Sequence, residues 1–179
     1  MAVPERAAPV VLLAALTSNG KVPDGEIQQA LEELWGPIHG WSEPYDLDAY
    51  TRYYFREMGS PLMKAICVFS CPYRPERLAD AKLAASDIER RWATDGARAV
   101  NIDPGYLTPI GLVLASTKPA SQRVYLRDGI YAECTLKFVN GGYQPWDWTY
   151  PDYRQPELRT FLDSLRGRAL ELSHSTEGR

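Results

Sequence analysis

Apolar residues along the first hundred positions follow two spacings, which predict alternating strands and helices. The continuous apolar run Val10–Thr17 predicts a strand buried on both faces, and a signal peptide is the alternative interpretation of that run. Apolar residues at helical spacing predict one helix from an N-cap at Asp24 to Trp35 and a second over residues 75–94. Shorter apolar segments predict three further strands, at residues 38–41, 62–70 and 97–102.

The order of these elements indicates the fold class. Strand, helix, strand, strand, helix, strand is the order of the split βαβ or ferredoxin-like motif, whose two helices cover one face of an antiparallel sheet. We therefore predict an α+β fold. Between the second and third strands, Tyr50–Gly59 is either a helical turn or an aromatic strand.

The pattern changes after residue 103, where a short helix from Thr108 to Ala115 and then a hairpin are predicted. A two-residue loop, Asp128-Gly129, and a three-residue loop that also includes Arg127 are both compatible with the hairpin sequence. The three-residue loop is favoured because it gathers the apolar side chains on one face. Those side chains are Val124, Leu126, Ile130, Ala132, Cys134 and Leu136.

The remaining elements complete an antiparallel meander and a closing helix. Asn140-Gly141 predicts a second hairpin turn, and Pro145 makes the third strand an edge strand. Pro156 opens the final helix, which carries a continuous apolar stripe. We predict one domain over residues 9–172, with a disordered lead over 1–8 and a disordered tail over 173–179.

Composition and charge exclude several classes of protein. The 179 residues carry a net charge of -3, and the sequence pI of about 5.5 argues against nucleic-acid binding. The odd and low number of cysteines, three, argues against a disulfide framework and favours a reducing compartment, so a cytoplasmic location is expected. No apolar run reaches the roughly 18 residues that a membrane span needs.

Familiar catalytic signatures do not occur in the sequence, which has no phosphate loop, dinucleotide fingerprint or nucleophile elbow. Asp103 is the first candidate residue, since it follows a predicted strand and precedes Pro104-Gly105. A carboxylate at that position either closes an Asx turn or contacts a ligand as a catalytic group.

The predicted hairpin carries the second group of candidates. Its register pairs Arg123 with Glu133 and Tyr125 with Tyr131 on the face opposite the apolar one. These four side chains form either a solvated face with a cross-strand ion pair or a platform for a polar ligand. On the platform, Arg123 would bind a phosphate or carboxylate, and Glu133 would act as a base or a metal ligand.

Two flanking segments add further candidates. Tyr150–Arg154 contains two tyrosines, the carboxylate of Asp152 and the guanidinium of Arg154 within five residues. Lys118 follows Ser116-Thr117 and is a candidate phosphate-binding lysine.

The same segments carry a resemblance to a known family. The residues that carry it are Tyr53-Tyr54, Glu57-Met58-Gly59, Asn101–Tyr106, Thr117-Lys118, Arg123–Leu126, Gly129–Glu133 and Thr149–Arg154. In combination they resemble a bacterial family catalogued as domain of unknown function 4416, from about Pro9 to about Arg166. Some members carry the label GTP-binding protein, but this sequence lacks the phosphate loop that the label implies.

Two functional hypotheses follow. The first is a small enzyme or binding protein for a phosphorylated or nucleotide-like anionic molecule, held by Lys118, Arg123 and Arg154. In it Asp103, Glu133 and Asp152 serve as acid/base groups or as ligands for a divalent ion such as Mg²⁺. The second is a non-catalytic interaction module, a homodimer or an adaptor, whose interface is the tyrosine-rich face. The first hypothesis requires the three carboxylates to share one pocket.

Overall fold

The computed structural model describes residues 5–175, which form nine strands and five α-helices. The strands are β1 (Val10–Ser18), β2 (Ile38–Trp41), β3 (Tyr45–Asp46), β4 (Met63–Tyr73), β5 (Val100–Thr108), β6 (Gly111–Ser116), β7 (Arg123–Arg127), β8 (Ile130–Val139) and β9 (Gly142–Pro145). The helices are α1 (Asp24–Trp35), α2 (Phe55–Met58), α3 (Leu78–Arg91), α4 (Pro156–Ser164) and α5 (Arg166–His174).

All nine strands belong to one antiparallel sheet, in the order β2-β4-β1-β5-β6-β8-β7. The short strand β3 also pairs with β4, and β9 pairs with β8. Helices packed against an antiparallel sheet confirm the predicted α+β class.

The two faces of the sheet bury separate cores, because successive residues of β1 point to opposite sides. Leu12, Ala14 and Leu16 pack on one side against α1 and α3. Val11 and Leu13 pack on the other side against α4 and α5. The alternation explains why β1 is apolar from Val10 to Leu16, since that part is covered on both faces.

The β7–β8 hairpin corrects the predicted loop. Arg123 pairs with Glu133 and Tyr125 with Tyr131 as predicted, but Arg127 pairs with Ile130 across a two-residue turn. Asp128 and Gly129 both have positive φ, which a tight hairpin turn of this kind requires. The register shifts at Leu126, so the three-residue loop was wrong.

The predicted single apolar face of that hairpin was also wrong. The pairing of β6 with β8 shifts between Leu112 and Val113, and Thr135 lies at the irregularity. Ile130 and Leu136 consequently pack in different cores, and Cys134 is exposed.

Three predicted element bounds need correction. Residues 111–116 form β6 rather than a helix, because Pro109-Ile110 is a tight turn between two paired strands. The closing helix is divided at Leu165 into α4 and α5. Helix α5 extends to His174, inside the predicted tail, whereas residues 1–4 and 176–179 lie outside the described chain.

Candidate functional site

The residues on the α4–α5 side of the sheet change from apolar to polar along the strands. On β1 this face runs from Val11 to Thr17, and on β5 it runs from Leu107 to Asn101. Helices α4 and α5 cover the apolar half. The polar half lines a cleft of about 260 Å³, which is the candidate site.

The cleft is rich in charged and aromatic side chains. Its ionisable and phenolic lining comprises the cations Lys64, Lys82, Arg98, Lys118 and Arg123, the carboxylates Asp103, Glu133 and Asp152, and the tyrosines Tyr53, Tyr54, Tyr150 and Tyr153. The three carboxylates that the first functional hypothesis requires in one pocket all line this cleft.

Asp103 lies within β5, opposite Ala15, rather than at the end of a strand. The prediction of a strand-end Asx turn was wrong, because β5 continues to Thr108 through Pro104-Gly105. A β-carbon on Gly105 would lie 2.4 Å from the carbonyl oxygen of Val113. Glycine at this position thus permits the close approach of β6 to β5.

Side chains from α3 reach the site through a split in the sheet. Strand β6 pairs with β5 only from Gly105 onward, so the backbone of Ile102 has no strand partner on that side. Its N–H donates to Glu89 at 2.7 Å, and its carbonyl accepts from Lys82 at 2.6 Å. These two α3 side chains replace the missing strand and satisfy the buried backbone.

The same lysine holds Asp103. Lys82 Nζ lies 2.9 Å from one carboxylate oxygen of Asp103, and the Asn101 amide donates to the other at 2.7 Å. Burial favours the neutral acid, but Lys82 and Lys64 outweigh it, so the pKa of Asp103 lies below its ordinary value. Burial also opposes the charge of Lys82, yet Asp103 and Glu89 raise the pKa of that lysine. Both groups are charged at neutral pH.

Arg98 fixes the loop that carries the cleft tyrosines. Its guanidinium binds both oxygens of Glu57, at 2.5 and 2.9 Å, and also contacts Glu89 and Asn101. The hydrogen bonds that Arg98 donates to Glu57 raise the pKa of Arg98. A bidentate pair of this kind is geometrically specific, so it ties α2 and its neighbour Tyr54 to the start of β5.

Asp152 belongs to a buried ion pair. Its carboxylate accepts from Lys64 at 2.6 Å and from the Tyr45 hydroxyl at 3.0 Å. Lys64 also lies 4.4 Å from the ring centre of Tyr153. Because only 5% of the Asp152 side chain is exposed, this pair joins the 3₁₀ turn before α4 to the sheet.

Glu133 and Arg123 form the cross-strand pair that the hairpin register predicts. Arg123 Nε donates to Glu133 at 2.8 Å, and the side chains are 6% and 3% exposed. The remaining guanidinium nitrogens donate to Ser116, to the Lys118 carbonyl and to the Tyr150 hydroxyl. Arg123 thus organises the wall of the cleft formed by β6, β7 and residue 150.

Lys118 differs from the other cleft cations. It is exposed, its Nζ lies 4.0 Å from the ring centre of Tyr53, and it donates to the hydroxyl of that tyrosine. Among residues 5–175 no carboxylate lies within 4.0 Å of its ammonium, whereas the other four cations each have at least one. It is the cleft cation with the least neutralised charge.

The three carboxylate–cation pairs lie in a row across the sheet. Lys64, which binds Asp152, lies on β4. Asp103 lies on β5, and Glu133 lies on β8. These strands are two positions apart in the sheet, so neighbouring pairs are separated by roughly 10 Å. Asp103 occupies the centre and keeps 26% of its side chain exposed, which makes it the accessible carboxylate.

The structure brings together five of the eight residues predicted from the sequence. Asp103, Glu133, Asp152, Lys118 and Arg123 line the cleft. Tyr125 and Tyr131 instead form an edge-to-face pair with centroids 5.3 Å apart, outside it. Arg154 donates to the carbonyls of residues 146, 147 and 149, so it braces a loop.

Sequence reasoning missed the lysines that hold two of these carboxylates. Lys64 carries a visible signal, since it is the one charged residue in the apolar strand segment 62–70. Lys82 carries none, because it lies in a helix whose exposed positions are also charged. Within the described chain, no group of three histidine, cysteine, aspartate or glutamate side chains could hold a metal. Mg²⁺ can bind through one or two carboxylates together with ligand phosphates, so its involvement stays a prediction.

The fold and the cleft define an α+β protein with a polar site on one face of its antiparallel sheet. Residues 8–168 match the model of a family described as domain of unknown function (DUF4416), and the chain belongs to that family. No curated protein and no solved structure gives a significant match. Among residues 5–175, no helix combines the length and the apolar character needed to cross a membrane.

Proposed function

We propose that the cleft binds a phosphorylated or nucleotide-like anionic small molecule. The observation that carries the proposal is Lys118, an exposed cation at the cleft with no carboxylate within 4.0 Å of its ammonium among residues 5–175. An anion gains most from a cation whose charge has not already been neutralised. Tyr53 and Tyr150, which are 61% and 49% exposed, add aromatic faces and hydroxyls beside it.

In this proposal the three carboxylates have different tasks. Asp103 is ionised and accessible, so it would accept hydrogen bonds from the ligand or contribute to a Mg²⁺ site. Glu133 and Asp152 are buried in ion pairs and would shape the cleft. Any acid/base chemistry would therefore fall to Asp103.

A thermal-shift screen with nucleotides, sugar phosphates and divalent ions tests the proposal. A ligand at 100 times its Kd stabilises the folded state by about 2.7 kcal/mol. At least one phosphorylated compound should raise the Tm, and Lys118→Ala should remove that shift. Lys21→Ala, at another exposed lysine, should retain it. Shifts that persist in Lys118→Ala, or a screen without any anion-dependent shift, would reject the proposal.

A second candidate function is a homodimer formed through β7. This strand ends the main strand order of the sheet, and Val124, Tyr125 and Leu126 on it are 68%, 57% and 40% exposed. Exposed apolar edge strands pair readily with another strand. Each arginine of β7 already has a carboxylate of its own, so two copies could pair their β7 strands without uncompensated charge.

Light scattering distinguishes a homodimer from a monomeric binding protein. The wild-type chain should have the mass of a dimer at micromolar concentration, and Val124→Lys should shift it to a monomer. Val139→Lys, at an exposed apolar position on β8, serves as the control. A monomeric wild-type chain would exclude the homodimer.

We further propose a ferredoxin-like unit for the first hundred residues and a cytoplasmic location. The observed order β2-β4-β1-β5, with α1 and α3 packed on one face, supports the first proposal. The three free cysteines support the second. Fractionation of cells that express the chain would test the location.

A further inference from the structure

The wall around Lys118 holds two hydroxyl groups that accept hydrogen bonds from the protein's own donors. Ser116 Oγ accepts from Arg123 at 2.8 Å and from the Lys118 N–H at 3.2 Å. The Tyr150 hydroxyl accepts from Arg123 at 2.7 Å. Since both oxygens already accept, each O–H is available to donate. A guanidinium that is itself anchored on buried Glu133 sets the orientation of both groups.

A phosphate group matches this wall better than a carboxylate does. Lys118 supplies the charge, and Ser116, Tyr150 and the exposed residue Thr117 supply hydroxyl donors along the same side of the cleft. A phosphate has three terminal oxygens with which to accept these hydrogen bonds, whereas a carboxylate has two.

The centre of the cleft requires the opposite chemistry. Asp103 is ionised and acts only as an acceptor, so it repels phosphate and favours a donor. Each of its oxygens accepts one protein hydrogen bond, from Lys82 or from Asn101, which leaves further lone pairs on the exposed side. Lys82, whose Nζ lies 2.9 Å from Asp103, already offsets much of its charge, so a ligand ammonium would gain little there. The matching donor is therefore a neutral hydroxyl.

We propose that the ligand is a phosphomonoester of a sugar or polyol, with its phosphate at Ser116, Lys118 and Tyr150 and its hydroxyls at Asp103. This inference rests on the proposed function and specifies its substrate class. The phosphate end lies on β6 and in loops, and the hydroxyl end lies on β5, which no longer pairs with β6 beyond Gly105 and Leu114. The cleft volume of about 260 Å³ lies below the range typical of drug-sized ligands, which favours a sugar phosphate over a dinucleotide.

Isothermal titration of the full chain with three probes tests both ends separately. The probes are ribose 5-phosphate, inorganic phosphate and ribose. Ribose 5-phosphate should bind at least tenfold more tightly than phosphate, and ribose should bind weakest. Tyr150→Phe should lower the affinity for ribose 5-phosphate and for inorganic phosphate by roughly tenfold, since it removes one charge-assisted hydrogen bond. Tyr150 is half exposed, so this variant tests the phosphate end without a large effect on folding.

Asp103→Asn tests the hydroxyl end. The variant should lower the affinity for ribose 5-phosphate by roughly tenfold. Its affinity for inorganic phosphate should stay the same or increase, because a repelling charge is removed. Circular dichroism must first show that the variant is folded. Asp95→Asn, at an exposed turn, is the matched control and should change neither affinity.

The outcomes separate this inference from the function on which it rests. The sugar-phosphate assignment would be wrong if phosphate and ribose 5-phosphate bound with equal affinity, or if Asp103→Asn weakened the binding of both. Either result would still agree with anion binding at the cleft. A Tyr150→Phe variant that binds both probes normally would overturn the assigned phosphate end. If no phosphorylated compound binds the wild-type chain, the proposed function itself fails.

Discussion

The two halves of the α4–α5 side of the sheet use the same strands for opposite purposes. In the covered half, Leu107, Leu112 and Leu136 pack against the closing helices and are fully buried. In the open half, the same strands present Asp103 and Glu133, each tied to a cation. A change of side-chain type within one strand is thus enough to divide one sheet face into a core and a cleft.

The difference also separates two sources of stability. The covered half gains from apolar burial, at about 25 cal/mol per Å² removed from water. The open half gains little from its buried ion pairs, because desolvation offsets their attraction. Removing one partner of such a pair nevertheless costs much, since the other charge stays buried.

The largest predicted effect is in the open half. Asp152→Ala should lower the free energy of unfolding by about 3–5 kcal/mol, because Lys64 loses its carboxylate while it remains buried. The double variant Lys64→Met/Asp152→Ala should recover most of this loss. Urea unfolding of the single and double variants measures both values. A loss below about 1 kcal/mol in the single variant would contradict the proposed role of the pair.

Truncation in the covered half should have a comparable but slightly smaller effect. Leu162→Ala on α4 removes a fully buried side chain and should cost about 2–5 kcal/mol. Leu34→Ala on α1 is the matched control, because that leucine is 37% exposed. Urea unfolding should show a change of no more than about 0.5 kcal/mol in the control. Similar losses in the two variants would show that burial does not distinguish these leucines.

The smallest predicted effect is on the pH dependence of the free energy of unfolding. The folded pKa of Asp103 is lowered, so its ionisation stabilises the fold above the unfolded pKa of about 3.9, and this contribution is lost as the pH falls through the lower folded value. Asp103→Asn should therefore flatten the decline in stability below about pH 4. Unfolding free energies measured between pH 7 and pH 3 give the slope. An unchanged acid slope would show that Asp103 does not contribute to it.

The sequence predicts the elements of this fold better than the place where they meet. The spacing of apolar residues and the turn residues locate β1, α1, α3 and the β7–β8 hairpin, because both signals depend only on residues that are close in sequence. The two-residue turn at Asp128-Gly129 was missed because the bulge at Leu126 shifts the alternation that decided between the loops. A bulge depends on the partner strand and leaves no local signal.

The site shows the same limit. Arg123 and Glu133 could be paired from the hairpin alone, since cross-strand neighbours follow from register. Lys82 could not be assigned to Asp103, because their contact depends on where β6 separates from β5. That separation is a property of the assembled sheet.

The split between β5 and β6 has a consequence for hydrogen exchange. The Ile102 amide bonds to the Glu89 carboxylate instead of to a strand, although Ile102 is fully buried. Its exchange with solvent deuterium therefore requires α3 to move away from β5, even while the strand pairs of β1 and β5 remain intact. The exchange rate at this single amide would follow the docking of α3 behind Asp103, and ligand binding at the cleft would slow it.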